Sequence, residues 1–260
     1  LSATGFAIYR TEEMENLVEW MRGYNASATQ GDDLRFYGFD MEQRAYTYRY
    51  LLEAVHKANI EVAEFEKMWN GEAGTYADGY TTEQRTEIIS AVKEQLPPDD
   101  VQAIHFADIL LQNIELGKYI DDSGELNAQR DRMMAENTLW ILQQEQARGN
   151  SRIMISGHNN HIMQCENAGT PVLGSLLAEN LGDGYFAIGT DFYKSVCNLP
   201  KPYTGKRITH TFYSYDPLAK ASKKCGFDVS FLDFSKVPEG SILTEHLANS
   251  IYMGSLGESY

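Results

Sequence analysis

Arg152-Ile153-Met154-Ile155-Ser156-Gly157-His158-Asn159-Asn160-His161 runs from an apolar triplet straight into a polar, histidine-rich cluster. A short apolar run closed by glycine has the length of a buried strand, and in open α/β sheets ligands gather beyond the carboxyl ends of the strands. The stretch therefore predicts a strand over Arg152–Ser156 that delivers His158 and its neighbours to a ligand site. Downstream, Tyr185–Gly189, Arg207–Tyr213 and Phe227–Phe234 read as further strands, with helices near Val172–Leu181 and Leu218–Lys224. Upstream, a long helix is expected from Asn127 to about Ala147. Strands alternating with helices in this way predict an α/β fold whose mainly parallel sheet is flanked by helices.

Toward the amino end, Thr11 precedes Met14, Leu17, Val18 and Met21, a polar cap followed by one apolar helical face, with Gly23 beyond it. Leu34–Asp40 is rich in aromatics, reads as a short strand turning at Gly38, and leads into a second helix through about Ala58. Residues 60–124 are mostly helical in pattern. Thr81 and Gln84 form a capping-box signature, Ile88, Ile89, Val92 and Leu96 supply an apolar face, and Pro97-Pro98 stops the helix. Asp99 or Asp100 caps the next helix, which carries Ile104, Ala107, Leu111 and Ile114 on one side. The simplest architecture is a discontinuous α/β core over residues 1–59 and 127–260 with an α-helical insertion at 60–126.

The 260 residues suffice for one large domain or one domain carrying an insertion, and 43% hydrophobic with 12% aromatic residues support a buried core. Disordered and fibrous classes are excluded on that composition. No apolar run approaches the roughly eighteen residues of a membrane span, and Leu1–Arg10 has no secretory pattern. A net charge of −15 argues against nucleic acid as the main partner. Cys165, Cys197 and Cys225 are odd in number and dispersed, which predicts a reducing compartment and a cytoplasmic location.

For chemistry, His158 is suited to act as a general base on water, since imidazole titrates near neutrality. His158 and His161 also have the spacing of two metal ligands, with Asp40 as a third acid, but no matching third or fourth ligand is apparent in the pattern. Arg130 stands four residues before Met134, seven before Asn137 and eleven before Ile141, on one helical face. An arginine on such a face must meet an anion, either a structural carboxylate or a substrate oxyanion. Asp131 is expected to face elsewhere, as a first-turn acid favourable to the helix dipole. Asp40, three residues before Gln43, fits a helix N-cap about as well as a site acid. No GxSxG elbow, P-loop or Rossmann glycine fingerprint occurs, and Gly182-Asp183-Gly184 reads as a loop before a strand.

Several stretches together resemble the erythromycin esterase family. They are Trp20-Met21-Arg22-x-Tyr24-Asn25, Arg35-Phe36-Tyr37-Gly38-Phe39-Asp40, Arg130-Asp131-x-Met133-Met134-Ala135-x-Asn137 and His158-Asn159-x-His161-Ile162. Gly174-x-x-Leu177 and Gly182-Asp183-x-Tyr185-x-Ala187-Ile188-Gly189 extend the likeness, which runs from about Met14 to Phe192, with a faint echo at Met253–Gly257. The resemblance implies a hydrolase that opens a lactone or other small-molecule ester with histidine-activated water and needs no metal or other cofactor. On it, Arg130 matches an active-site arginine and His158 an active-site histidine. Asn159 and His161 share the histidine motif and, with Asp40, are expected to bind substrate. The family's leading glycine, glutamate and histidine cluster, which holds the usual general base, is missing, so the chain is expected to be a fragment whose base lies ahead of Leu1. A metal-dependent hydrolase built on His158 and His161, and a non-catalytic binding homologue lacking the base, are the alternatives.

Overall fold

The computed structural model describes residues 9–29, 31–71, 74–167, 169–201 and 204–249. The Met253–Gly257 stretch and the first eight residues lie outside them. Local signals place the helices closely. Helix α1 spans Glu12–Asn25, running through the Gly23 expected to lie beyond its end near Arg22, and buries none of its side chains; the Thr11 side chain accepts from the Met14 amide at 3.3 Å, as a cap should. Helix α2 (Arg44–Lys57) is followed by the single turn and a half of α3 (Ala63–Lys67) and by a tiny hairpin of β1 (Trp69–Asn70) and β2 (Thr75–Tyr76). Thr81 and Gln84 close a reciprocal capping box on α4 (Thr82–Gln95), and Asp100 caps α5 (Val101–Leu116). Helix α6 (Ser123–Ala147) begins four residues before its expected start, because Asp122 accepts from the amides of Gly124 and Glu125.

Contacts divide the chain into two compact units, one running to Ser156 and resuming over His161–Phe186, the other made of Gly157–Asn160 and the chain from Ala187 onward. In the first unit, Tyr48, Leu51 and Val55 of α2 bury against Phe65, Ile89, Val92, Ala107 and Leu110, so one core runs across the boundary expected at residue 60. The Tyr48 ring stacks on Phe65 at 4.5 Å and on Trp69 at 4.2 Å between ring centres, while its hydroxyl donates to the Phe65 carbonyl. A second core joins Met41, Ile109, Leu116, Met133, Met134 and Ala135 to Leu173 and Leu177 of α8 (Leu173–Leu181).

The second unit holds β5 (Lys194–Pro200), β6 (Arg207–Tyr213), α9 (Pro217–Lys224) and α10 (Ile242–Leu247). Strand β6 forms where a strand is expected, but its partner is the preceding β5, in antiparallel register from Lys194 opposite Tyr213 to Pro200 opposite Arg207. The remaining short pair, β3 (Glu166–Asn167) with β4 (Thr170–Pro171), is antiparallel too.

The mainly parallel sheet is therefore corrected: the fold is helix-rich mixed α/β, and every strand pair among the described residues is antiparallel. Neighbouring strands close a hairpin through a short turn, whereas a parallel pair needs a crossover of a dozen or more residues. The stretches expected as strands at 152–156, 185–189 and 227–234 carry no ladder. Alternation survives in the first of them, with Ile153 and Ile155 half-buried and Met154 89% exposed, but period-two burial by itself supplies no hydrogen-bonding partner.

Candidate active site

Helix α6 carries the site's polar residues on a frame that is buried on several sides. Met133, Met134 and Ala135 are consecutive and all buried, which covers about 200° of the helix circumference. Polar side chains on this frame must find partners.

They find them in the extended stretch 31–42, which is fastened along α6. Arg148 pairs with Asp33 at 2.5 Å and with Glu145 at 2.7 Å, and the Tyr37 hydroxyl donates to Glu145 at 2.6 Å. Burial alone would raise the Glu145 carboxyl, but the bonds from Tyr37, Asn150 and Arg148 hold it below its ordinary value. Asn137 donates to the Phe39 carbonyl at 3.0 Å, and Asn25 grips both the amide and the carbonyl of Leu34 at 2.8 Å. The expected strand over Leu34–Asp40 is thus a strap whose bonds go largely to side chains, and no neighbouring strand pairs with it among the described residues.

At the end of the strap sits Asp40. Its two carboxylate oxygens accept from Arg130 Nε at 3.3 Å and Nη2 at 2.5 Å, and Glu42 approaches Nη2 at 3.2 Å. The anion that Arg130 required is therefore a carboxylate of the chain itself. Burial would push the guanidinium down, yet Asp40, with help from the charges of Glu42 and Asp131, carries it above its ordinary value. Asp40 is not the cap of α2, since Gln43 occupies that position; its Oδ1 also accepts from the Glu42 amide at 3.2 Å.

Asp131 corrects a sequence expectation. It lies in the third turn of α6 rather than the first, is 4% exposed, and bonds His161 Nδ1 through Oδ1 at 2.6 Å. The signal was present: Asp131 stands three and four residues before the buried Met134 and Ala135, hence on their face. His161 lies in the short helix α7 (Asn159–Ile162), and the chain just after it is clamped. The Tyr185 hydroxyl donates to the Ile162 carbonyl at 2.5 Å, and Ser175 donates to the Cys165 carbonyl at 2.7 Å. A Cβ on Gly174 would come within 2.2 Å of that same Ile162 oxygen, so only glycine lets α8 approach so closely. Burial, followed by the charges of Asp131 and Glu166, pushes the Cys165 thiol up, which keeps it protonated.

Arg130, Asp40, Asp131 and His161 thus come together within the first unit. His158 and Asn159 belong to the second. There His158 is exposed, and Asn159 imitates a backbone pair with Thr190, donating to its carbonyl at 2.5 Å and accepting from its amide at 3.0 Å. Among the described residues, no three His, Cys, Asp or Glu side chains are arranged to hold a metal ion, and no helix is long and apolar enough to cross a membrane.

The crystal structure of a succinoglycan biosynthesis protein is similar in fold, with a TM-score of 0.57 at 18% identity. The match covers 79% of this chain and 55% of that one, so the chain spans about half the length of that relative. No curated protein matches. The family model described as erythromycin esterase matches residues 1–258, well beyond the Met14–Phe192 span of the motifs. The chain belongs to the erythromycin esterase family.

Proposed function

We propose that the chain carries part of the site of a hydrolase that cleaves a lactone or other small-molecule ester with water and without a metal ion. The observation that carries this reading is the Arg130 guanidinium, held by Asp40 through two bonds in the family's arginine motif. Those bonds use Nε and Nη2, so Nη1 is available to a substrate oxygen. An ester carbonyl gains negative charge as water adds, and a preorganised cationic donor stabilises that charge by a few kcal/mol, about 100-fold in rate. His158 polarises the carbonyl, and Asn159, His161 and Asp40 shape the substrate's surroundings. Three free cysteines suit a cytoplasmic setting.

Hydrolysis of short-chain esters and lactones by the purified protein tests the reading. His158→Ala is expected to lower turnover at least about 100-fold with an unchanged thermal transition, because an exposed imidazole contributes little packing. Arg130→Lys is expected to lose a comparable factor, since one ammonium cannot hold Asp40 and a substrate oxygen together in the planar fork of a guanidinium. Activity is expected to survive prolonged chelation. Near-normal turnover in either folded variant, or loss on chelation restored by one metal, overturns the reading.

A further inference from the structure

We infer that Arg44, Tyr76 and Arg85 form a binding site for a doubly charged phosphate group, carried as the free ion or as the end of a phosphomonoester. Arg44 opens helix α2, Tyr76 ends strand β2, and Arg85 lies at the start of α4. The β1–β2 turn rests on the first turn of α2, since a Cβ on Gly74 would stand 3.6 Å from that of Ala45, the neighbour of Arg44. Both guanidiniums pack on the Tyr76 ring, with their carbon centres 5.5 Å (Arg44) and 4.9 Å (Arg85) from its centroid, and Trp69 meets that ring edge-on at 5.7 Å. An aromatic face attracts a guanidinium, yet it leaves the in-plane N–H donors without acceptors.

What the cluster lacks is an anion. Arg22, Arg49, Arg130, Arg132 and Arg148 each meet a carboxylate within 3.0 Å. Arg44 and Arg85 meet none among the described residues, although the chain carries 37 acidic against 22 basic residues. Helix α2 does not supply one either: its first turn holds no acid and its cap Gln43 makes no side-chain bond, so the helix end adds positive potential. Three donors around the ring, Arg44 Nε, Arg85 Nε and the Tyr76 hydroxyl, are buried without an acceptor among the described residues. Folded proteins satisfy nearly all buried donors with protein, water or an ion, because each one left unpaired is destabilising. Three such donors on side chains that touch one ring point to a shared acceptor. Burial pushes the Tyr76 hydroxyl up to about 12, against the downward pull of the two guanidinium charges, so it stays a donor at neutral pH.

Charge and shape select the ligand. Two guanidiniums and a hydroxyl call for two negative charges and acceptor oxygens in several directions. A phosphate group near neutral pH carries close to two charges on three strong acceptor oxygens, and guanidiniums bind it through paired donors. A single carboxylate leaves one cation uncompensated, and water supplies acceptors without charge. Arg44, Tyr76 and Arg85 are each half-buried, so the cluster opens on the surface of the first unit, where an ion can enter.

The test is titration calorimetry of the purified protein with inorganic phosphate and, separately, with glycerol phosphate, against sodium chloride at equal ionic strength. Saturable binding of phosphate is expected, with a rise in melting temperature that chloride does not give. Arg44→Gln and Arg85→Gln are each expected to weaken binding about tenfold or more, and Tyr76→Phe by about three- to tenfold, because charge-assisted bonds are the stronger. In phosphate-free buffer Tyr76→Phe is expected to melt no lower than the wild type, since it removes a hydroxyl that has no partner. Binding of the ester as well as the ion assigns the site to a phosphomonoester, and binding of the ion alone assigns it to free phosphate. No saturable binding of either, or equal binding by the wild type and all three variants, overturns the inference. If an arginine variant does not fold, Tyr76→Phe decides, because it keeps the ring on which both guanidiniums pack.

Discussion

The two units of the chain are built on opposite terms. In the first, Phe65, Leu51, Met68, Ile89 and Leu110 are wholly buried, and charged residues such as Glu145 and Arg130 are tied by several partners each. In the second, Ala219 is the one buried apolar side chain among the described residues, while Val229, Phe231 and Phe234 are exposed. That unit is organised by a hairpin of two seven-residue strands and by caps, Asp216 on α9 and Ser241 on α10. Burial of apolar area is the main favourable term in folding, whereas caps and hairpin bonds each contribute about 1 kcal/mol. Stability therefore resides in the first unit.

The largest effect is expected from Phe65→Ala, which empties the space beneath Tyr48 and should lower unfolding stability by about 4 kcal/mol in denaturant titration. A loss under about 1 kcal/mol would break the contrast at its stronger end.

Acid gives the next test. His105 is buried, stacks on Trp140 at 3.7 Å, and its Nε2 is buried without a partner. Burial lowers its pKa from 6.5 to about 4, with the nearby Asp108 pulling it upward and Lys93 downward. Because the folded value lies below the unfolded one, the unfolded state binds more protons between those two pH values. Stability is thus fully present above about pH 6.5 and declines as pH falls toward 4, by up to about 3 kcal/mol. His105→Phe keeps the stacking and should flatten that part of the pH dependence of unfolding; an unaltered slope would show that His105 is not its source.

In the second unit, Asp216→Ala removes the bond to the Ala219 amide and should weaken α9 by about 1 kcal/mol, read as faster amide exchange across Pro217–Lys224. A loss near 4 kcal/mol would reveal a core that the burial pattern does not show. Smallest of all, Val229→Ser and Phe231→Ser should each change stability by no more than about 0.5 kcal/mol, since both side chains are already in solvent. Larger destabilisation would mean that this row is covered in solution, and would erase the contrast between the units.

How much of this is legible in the chain follows from the range of each interaction. The Thr81 cap, the Asp100 cap and the stop at Pro97-Pro98 join residues within four positions of each other, so helices α4 and α5 are readable from their own letters. The arginine and histidine motifs point to the right family, and spacing alone requires an anion beside Arg130. Spacing leaves open which anion it is, and the strap residue Asp40, ninety positions away, supplies it. Asp131 was legible too, three and four residues before the apolar Met134 and Ala135, but its partner His161, thirty positions on, was not.

By itself, then, the sequence determined most of the helices and the family, because caps and 3.6-residue periodicity are local and repeat within a few turns; which apolar faces are buried was not fixed the same way, since α1 buries none of its own. Tertiary structure alone decided which extended stretches became strands, since a strand exists only when another backbone meets its amides and carbonyls, and apolar alternation does not name that partner. It also decided what His161 meets. Its Nδ1 faces a carboxylate thirty residues earlier, brought within 2.6 Å where α6 packs against the Gly174 end of α8.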